Sequence, residues 1–436
     1  MSDGGTKAVK TTTAWGIGLL AAAAVSAGAA VVPAQEQESA RTTVITFSVK
    51  VEDRERPALE ELLRNFERQT PRVTLDRLVR LGDSGRIQVN LITVDPTALV
   101  DRLGRETQAG SPTIDLFAQD NLALWPLVHR GLVQPLADVP DPPEVPQDLL
   151  PPRFGNQRYF LPFRPNVRLT YANRRCLPAG LSPPTTLAVL ESTARQLRFM
   201  WGAPKLTLSL APGDPAAVTI SELILAFGGD PRVLNGRQSV RAFTYLAQLW
   251  QSGVLTRVSF GARFDTEVTW LKEGTSCVAQ NWSYTSSELA NNGLLGDFIV
   301  GAGWRGPSGE ARHVIGGDVL GIPTGVNGAR REAAVALAKY LMSREAQRLL
   351  VSENTWPSIR EDASLAAPAG QGNTYRAIND ALRNGWYRPQ DTGCWPVLSD
   401  GMNEAVSRIL QQGEPPKAVL DDVELKYQRC NQSPPL

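Results

Sequence analysis

The 436-residue chain predicts an α/β architecture, and three observations carry that expectation. It is long enough for two domains of ordinary size, able to bury ample apolar surface without metal or disulfide staples. From residue 44 onward, short apolar runs with strand character alternate with runs of helical period. Polar residues stand at the carboxyl ends of the expected strands, where open α/β sheets place their ligands.

The elements follow in order. Val44-Ile45-Thr46-Phe47 reads as a strand, and Leu59, Leu62, Leu63 and Phe66 then fall at i, i+3, i+4 and i+7 on one helical face. Thr70-Pro71 predicts the end of that helix. Ile87 to Ile92 alternates as a strand, and a helix from Thr97 buries Leu99, Val100 and Leu103. Ile114-Asp115-Leu116-Phe117 is a short buried strand ending at Gln119-Asp120. Residues 138–153, dense in proline and acids, read as a surface loop, and the chain changes direction near Pro162–Asn166. Helices are expected around 185–200, 216–227 and 237–252, with a cap and turn at Gly228-Gly229-Asp230. Cys277 to Trp282 and Phe298 to Val300 read as strands. Ala333–Val351 reads as a helix pair broken at Ser343, an N-cap.

Net charge is +1, and the basic residues, mostly arginine, are scattered among acids. No basic stripe points to nucleic acid or to an anionic membrane. Residues 1–34 carry Lys7 and Lys10, an apolar run from Trp15 to Ala30, and small residues at Val32-Pro33-Ala34. That pattern reads as a Sec-type signal peptide, the alternative being an uncleaved anchor, and no cysteine stands there for a lipoprotein linkage. Residues 35–43 read as a polar linker. Four cysteines in an exported chain permit disulfides in three connectivities. Cys394–Cys430 is the favoured pair, because both lie in the proline-rich C-terminal region, and four buried thiols are the alternative.

Catalytic motifs are missing. No GxSxG, HExxH or Walker pattern occurs, and no Cys/His spacing suits a metal. His129 reads as a helix-end residue and His313 as preceding a strand. Gly301-Ala302-Gly303-Trp304-Arg305-Gly306 matches GxGxxG, but Pro307 follows where a dinucleotide site needs a helix. No cofactor is expected. Paired carboxylates keep a secreted glycosidase as the rival reading from the enzyme class.

Four segments, in their order and spacing, resemble the sugar-type extracellular solute-binding proteins of bacterial ABC importers (family 1, maltose-binding-protein-like). They are the strand and helix at 44–67, Ile114 to Asp120, Phe160 to Asn173, and Gly316 to Pro323 with the helices up to Gln347. The resemblance covers most of residues 44–410. It implies a two-lobed periplasmic-binding-protein fold with a hinge and a ligand cleft between lobes. The first lobe would take 44–163 and 304–353, the second 164–303 and 354–436, with a further crossing near Thr355-Trp356-Pro357. It also implies a non-enzymatic monomer in the periplasm or outside the cell, holding a sugar and docking on a membrane permease. A polyamine ligand, or a sensor in place of a permease, are the alternatives within the class.

A sugar offers hydroxyls at its rim and C–H patches on its faces, so carboxylates and aromatic rings match it. Trp282, in the segment resembling the second-lobe aromatic loop, is the leading candidate. Asp120 stands at a strand tip, where it also suits a helix N-cap. Asp318 follows Gly316-Gly317, where missing Cβ atoms let backbone and ligand approach, so Gly317 joins the site. Trp304 and Trp356 fall in the crossings. Glu52 and Asp53 follow the first strand, and Arg164 and Tyr284 complete the set.

Overall fold

The computed structural model describes residues 41–73, 83–177, 184–307, 309, 311–389 and 393–432; the expected signal peptide and most of the linker lie outside them. Nine strands form one connected sheet among these residues. They are β1 (Arg41–Ser48), β2 (Asp83–Ile92), β3 (Leu116–Asp120), β4 (Leu161–Asn173), β5 (Leu206–Thr207), β6 (Val278–Trp282), β7 (Phe298–Ala302), β8 (His313–Gly321) and β9 (Gly385–Tyr387). Their order is β2-β1-β3-β8-β4-β6-β5, with β7 on β4 and β9 on β8. The β1–β2 and β1–β3 pairs are parallel, as crossover helices require. Both β3 and β4 pair antiparallel with β8.

The 13-residue β4 joins two halves of this sheet. Its Leu161–Val167 part pairs with β8. Its Arg168–Asn173 part pairs with β6 and β7. One apolar cluster packs around β1, the helix Arg56–Val73, the helix pair Gly328–Leu341 and Arg344–Asn354, and Trp356 to Leu382. A second gathers helices Leu187–Trp201, Asp214–Ala226, Arg237–Gln251, Trp395–Val406 and Pro416–Gln432. The architecture is the two-lobed α/β one, with β4 running from one lobe into the other.

Local chemistry explains several boundaries. Leu59, Leu62, Leu63 and Phe66 are all buried, as their spacing predicts. The helix they belong to runs on to Val73 instead of stopping at Thr70-Pro71. Proline holds φ at a helical value, so near a helix end it sacrifices one N–H bond without forcing a break. Asp95 caps the Pro96–Gln108 helix by accepting from Thr97 N at 2.9 Å. Ser343 separates the helix pair and accepts from Ala346 N at 3.2 Å. The 138–153 loop is not purely superficial, because Val139, Val145 and Leu149 sink into the first cluster.

Two disulfides join Cys176 to Cys277 and Cys394 to Cys430. The first ties the loop after β4 to the start of β6; the second ties the last two helices together. In the chain-entropy model the longer loop closure contributes roughly 5 kcal/mol and the shorter roughly 4 kcal/mol. Among the described residues, no helix is long and apolar enough to cross a membrane.

Candidate functional site: a charged cleft at the sheet crossing

A cavity of about 250 Å³ opens where β4 passes between the lobes. Three groups of residues line it. The loop after β1 supplies Lys50, Glu52, Arg54 and Glu55; the strand ends supply Asp120, Arg164, Asn166, Gly317 and Asp318; the facing wall supplies Tyr284, Ser287, Glu288 and Trp356.

Strand register sets the floor. Asp120 on β3 is opposite Asp318 on β8, and Asp318 is in turn opposite Arg164 on β4. Two carboxylates directly across an antiparallel pair repel. Arg164 relieves this by donating from Nε (3.0 Å) and Nη2 to Asp318 Oδ2. Burial works against the Arg164 charge, but Asp318, Glu55 and Asp120 outweigh it and hold its pKa above the usual arginine value. Gly317 makes the register possible: its φ is +94°, and a Cβ there would stand 2.1 Å from Arg164 O.

Asp120 has a different environment. Its Oδ1 accepts from Leu122 N at 2.8 Å, capping the short 3₁₀ turn Asn121–Ala123, so capping and cleft exposure coexist. Behind it, Arg388 Nη2 lies 3.5 Å from Oδ1, but that guanidinium is shared with Asp214 at 2.8 Å and Asn121 at 2.6 Å. The Asp120 side chain keeps 43% of its surface open to the cleft. Its recessed setting, helped by Asp318 and Asp214 and opposed by Arg388, raises its pKa to about 6.

The wall is built by one helical face. Tyr284, Ser287 and Glu288 fall at i, i+3 and i+4 of the helix Tyr284–Asn291. Tyr284 OH donates to Asp265 at 2.8 Å, and Ser287 Oγ donates to Thr355 O at 2.9 Å. Glu288 accepts from Arg54, 234 residues earlier in the chain. Thr355 has φ +54°, and no other non-glycine among the described residues lies in the left-handed region. This strained residue precedes Trp356, whose indole N–H donates to Glu55 Oε1 at 2.8 Å and whose ring carries the Arg164 guanidinium at 4.2 Å.

The cavity thus brings together Glu52, Asp120, Arg164, Tyr284, Gly317, Asp318 and Trp356 from the sequence-derived set. Trp282 does not line it. All of β6 is buried, and the Trp282 ring lies one layer down, beneath Gly316 and edge-on to Phe264. Trp304 is packed in the second apolar cluster. Asp53 sits in the exposed turn after β1 without lining the cavity. Sequence reading missed Lys50, Arg54, Glu55, Asn166, Ser287 and Glu288. The last two were recoverable as the helical partners of Tyr284. Lys50, Arg54 and Glu55 depend on how the loop after β1 folds back, with Glu52 N donating to Glu55 Oε2 at 3.0 Å, and Asn166 lies on β4 two residues beyond Arg164. Among the described residues, no group of histidine, cysteine and acids could hold a metal.

A polar cleft between two α/β lobes that share a crossing strand defines a protein that captures a small solute. The chain belongs to the bacterial extracellular solute-binding protein family, whose model matches residues 81–372; it is a non-enzymatic family. No curated protein sequence matches it. Among solved structures, it resembles the cyclic α-maltosyl-1,6-maltose binding protein of Arthrobacter globiformis, with TM-score 0.75 and 16% identity over 90% of this chain and 100% of that one. The GacH receptor of Streptomyces glaucescens, solved unliganded and with acarbose, gives TM-score 0.70 and 16% identity over 90% and 99%. An ABC-transporter solute-binding protein of Agrobacterium radiobacter K84, in complex with ribitol, gives TM-score 0.66 and 16% identity over 89% and 98%. At these identities the likeness establishes the fold.

Proposed function

We propose that the protein is the substrate-binding subunit of an ABC importer, holding a compact hydroxylated solute, a sugar or polyol, between its lobes for delivery to a permease. One observation carries this reading: groups that can bond a solute, from β3, β4, β8 and the Tyr284–Asn291 helix, converge on one cavity at the lobe crossing. At about 250 Å³, it lies below the usual 300–1,000 Å³ range of ligand pockets. A single ring or a short polyol suits it better than an extended oligosaccharide. The structural neighbours, one named as a cyclic maltosyl-maltose binding protein and one in complex with ribitol, support the hydroxylated class.

The ligand acts by favouring the closed form, and only to the extent that it binds that form better. Export by the N-terminal apolar segment fits the family's extracellular setting. A thermal-shift panel of pentoses, hexoses, disaccharides and pentitols tests the reading. A ligand at a thousand times its Kd adds about 4 kcal/mol, roughly 5 °C for a two-state chain of this size. A shift from one member of the panel is expected. No shift from any member, nor from the amines used below, would overturn the proposal.

A further inference from the structure

The charge balance of the cleft narrows the ligand further, on the reading that this cleft is the solute site. Five carboxylates line it (Glu52, Glu55, Asp120, Glu288, Asp318) against three cations (Lys50, Arg54, Arg164). The cations are already engaged. Arg54 pairs with Glu52 at 3.0 Å and with Glu288. Arg164 is committed to Asp318 and to the Trp356 ring. Lys50 is more than half exposed and lies 3.9 Å from Asp95. Glu55 receives the Trp356 indole N–H and the Glu52 backbone N–H, both neutral donors. Asp120 receives the neutral Leu122 N–H, and its arginine neighbour is shared with Asp214.

The aromatic inventory points the same way. Arg164 already covers the Trp356 ring, which is only 4% exposed. Trp282 is below the floor, leaving Tyr284 as the aromatic wall. A neutral ring held mainly by stacking therefore finds little platform here, while five carboxylates set against three cations favour a cation.

We infer that the solute is a hydroxylated primary amine, an amino sugar or amino polyol, whose ammonium group is received by Asp120 beside the Arg164–Asp318 pair. The cross-strand register puts the Asp120 and Asp318 backbones about 5 Å apart, so one ammonium reaches the Asp120 carboxylate and the outer edge of Asp318 together. Its three N–H donors match acceptor-only carboxylates. The hydroxyls then meet the remaining polar wall. The groups facing Asp120 are Arg388, Asp318, Asp214 and Arg164. Of these four only the acids favour the incoming cation, and both arginines are already paired.

The test is isothermal titration calorimetry of the full chain at pH 7.5 and low salt. Glucosamine, galactosamine and mannosamine are compared with glucose, galactose and mannose, with the N-acetylated amino sugars and with putrescine. At least one amino sugar is expected to bind tenfold or more tightly than both its neutral parent and its N-acetyl form. Asp120→Asn should erase that preference, while a thermal melt shows the variant folded, since asparagine also caps. A neutral sugar binding as well as its amine would overturn this inference and leave the proposed function standing. Putrescine binding with every sugar and amino sugar silent would overturn both; silence across this whole panel would overturn the inference, and the proposed function with it once the pentoses, disaccharides and pentitols are silent too. An amino-sugar preference that survives in Asp120→Asn would overturn the assignment to Asp120.

Discussion

The Arg164 guanidinium lies 4.2 Å from the centre of the Trp356 ring while its Nε donates to Asp318 at 3.0 Å. One side chain thus holds together β4, β8 and the chain segment after the strained Thr355. Both members of the ion pair are largely shielded, at 21% and 13% exposure. Removing one partner of such a pair leaves the other uncompensated. Arg164→Ala is expected to cost about 3 kcal/mol in urea unfolding. Adding Asp318→Asn should recover part of that loss. A single mutant within 0.5 kcal/mol of the parent would show that the pair is structurally idle.

Gly317 is where backbone demands are strictest. Its left-handed φ of +94° disfavours side chains, and a Cβ would collide with Arg164 O and Asn166 N, both backbone atoms that cannot rotate away. Gly317→Ala should therefore shift β8 against β4 and displace Asp318. The expected loss is above about 3 kcal/mol, with ligand binding abolished even at temperatures where the variant stays folded. Calorimetric titration beside a thermal melt checks both. Retained affinity would mean that the strands adjust without moving the site.

Much of this fold was legible in the sequence, and the reason is periodicity. Leu59 to Phe66 bury at helical spacing, Ser343 caps where its helix pair breaks, and Ile114 to Asp120 delivers its terminal acid to the cleft. The site was legible in part. Asp120, Gly317 and Asp318 follow from strand ends and glycine chemistry. Trp282 and Trp304 do not, because an aromatic residue suits a core and a ligand face equally well in sequence. Trp282 belongs to a strand buried on both faces, and its neighbour Gly316 admits it beneath the floor without exposing it. The Arg54–Glu288 contact depends on a loop and a helix meeting across 234 residues, which no local pattern encodes.

That contact spans the cleft mouth. Arg54 belongs to the loop after β1 and Glu288 to the facing helix, at 41% and 25% side-chain exposure. An ion pair this exposed contributes up to about 1 kcal/mol. On the proposed reading it should nonetheless favour the closed form before ligand arrives. Glu288→Gln should widen the unliganded protein in small-angle scattering and weaken solute binding up to about fivefold. In the parent, 0.5 M salt should mimic the substitution by screening the pair. Scattering profiles that coincide for parent and variant would remove the latch role.

Asp120 links the site to pH. Its pKa of about 6 stands above the ordinary aspartate value of about 3.9. Between those values the folded state binds more protons than the unfolded one. Stability from this group is therefore complete below about pH 4 and lost as pH rises through 6. Glu267, buried and raised to about 8, acts in the same direction over a higher range. Comparing Asp120→Asn with the parent isolates the first effect. The variant should be more stable at pH 7.5 by on the order of 1 kcal/mol, a figure reduced because the side chain is partly solvated. The difference should shrink towards zero at pH 4. Ligand binding should show the opposite trade: a cation needs the ionised carboxylate, so its affinity for the parent should fall as pH drops below 6. Urea unfolding at the two pH values, with titrations at pH 5 and 7.5, separates the two trends. A variant no more stable than its parent at neutral pH would mean that Arg388 already neutralises Asp120, and that the cleft holds no charge waiting for a ligand.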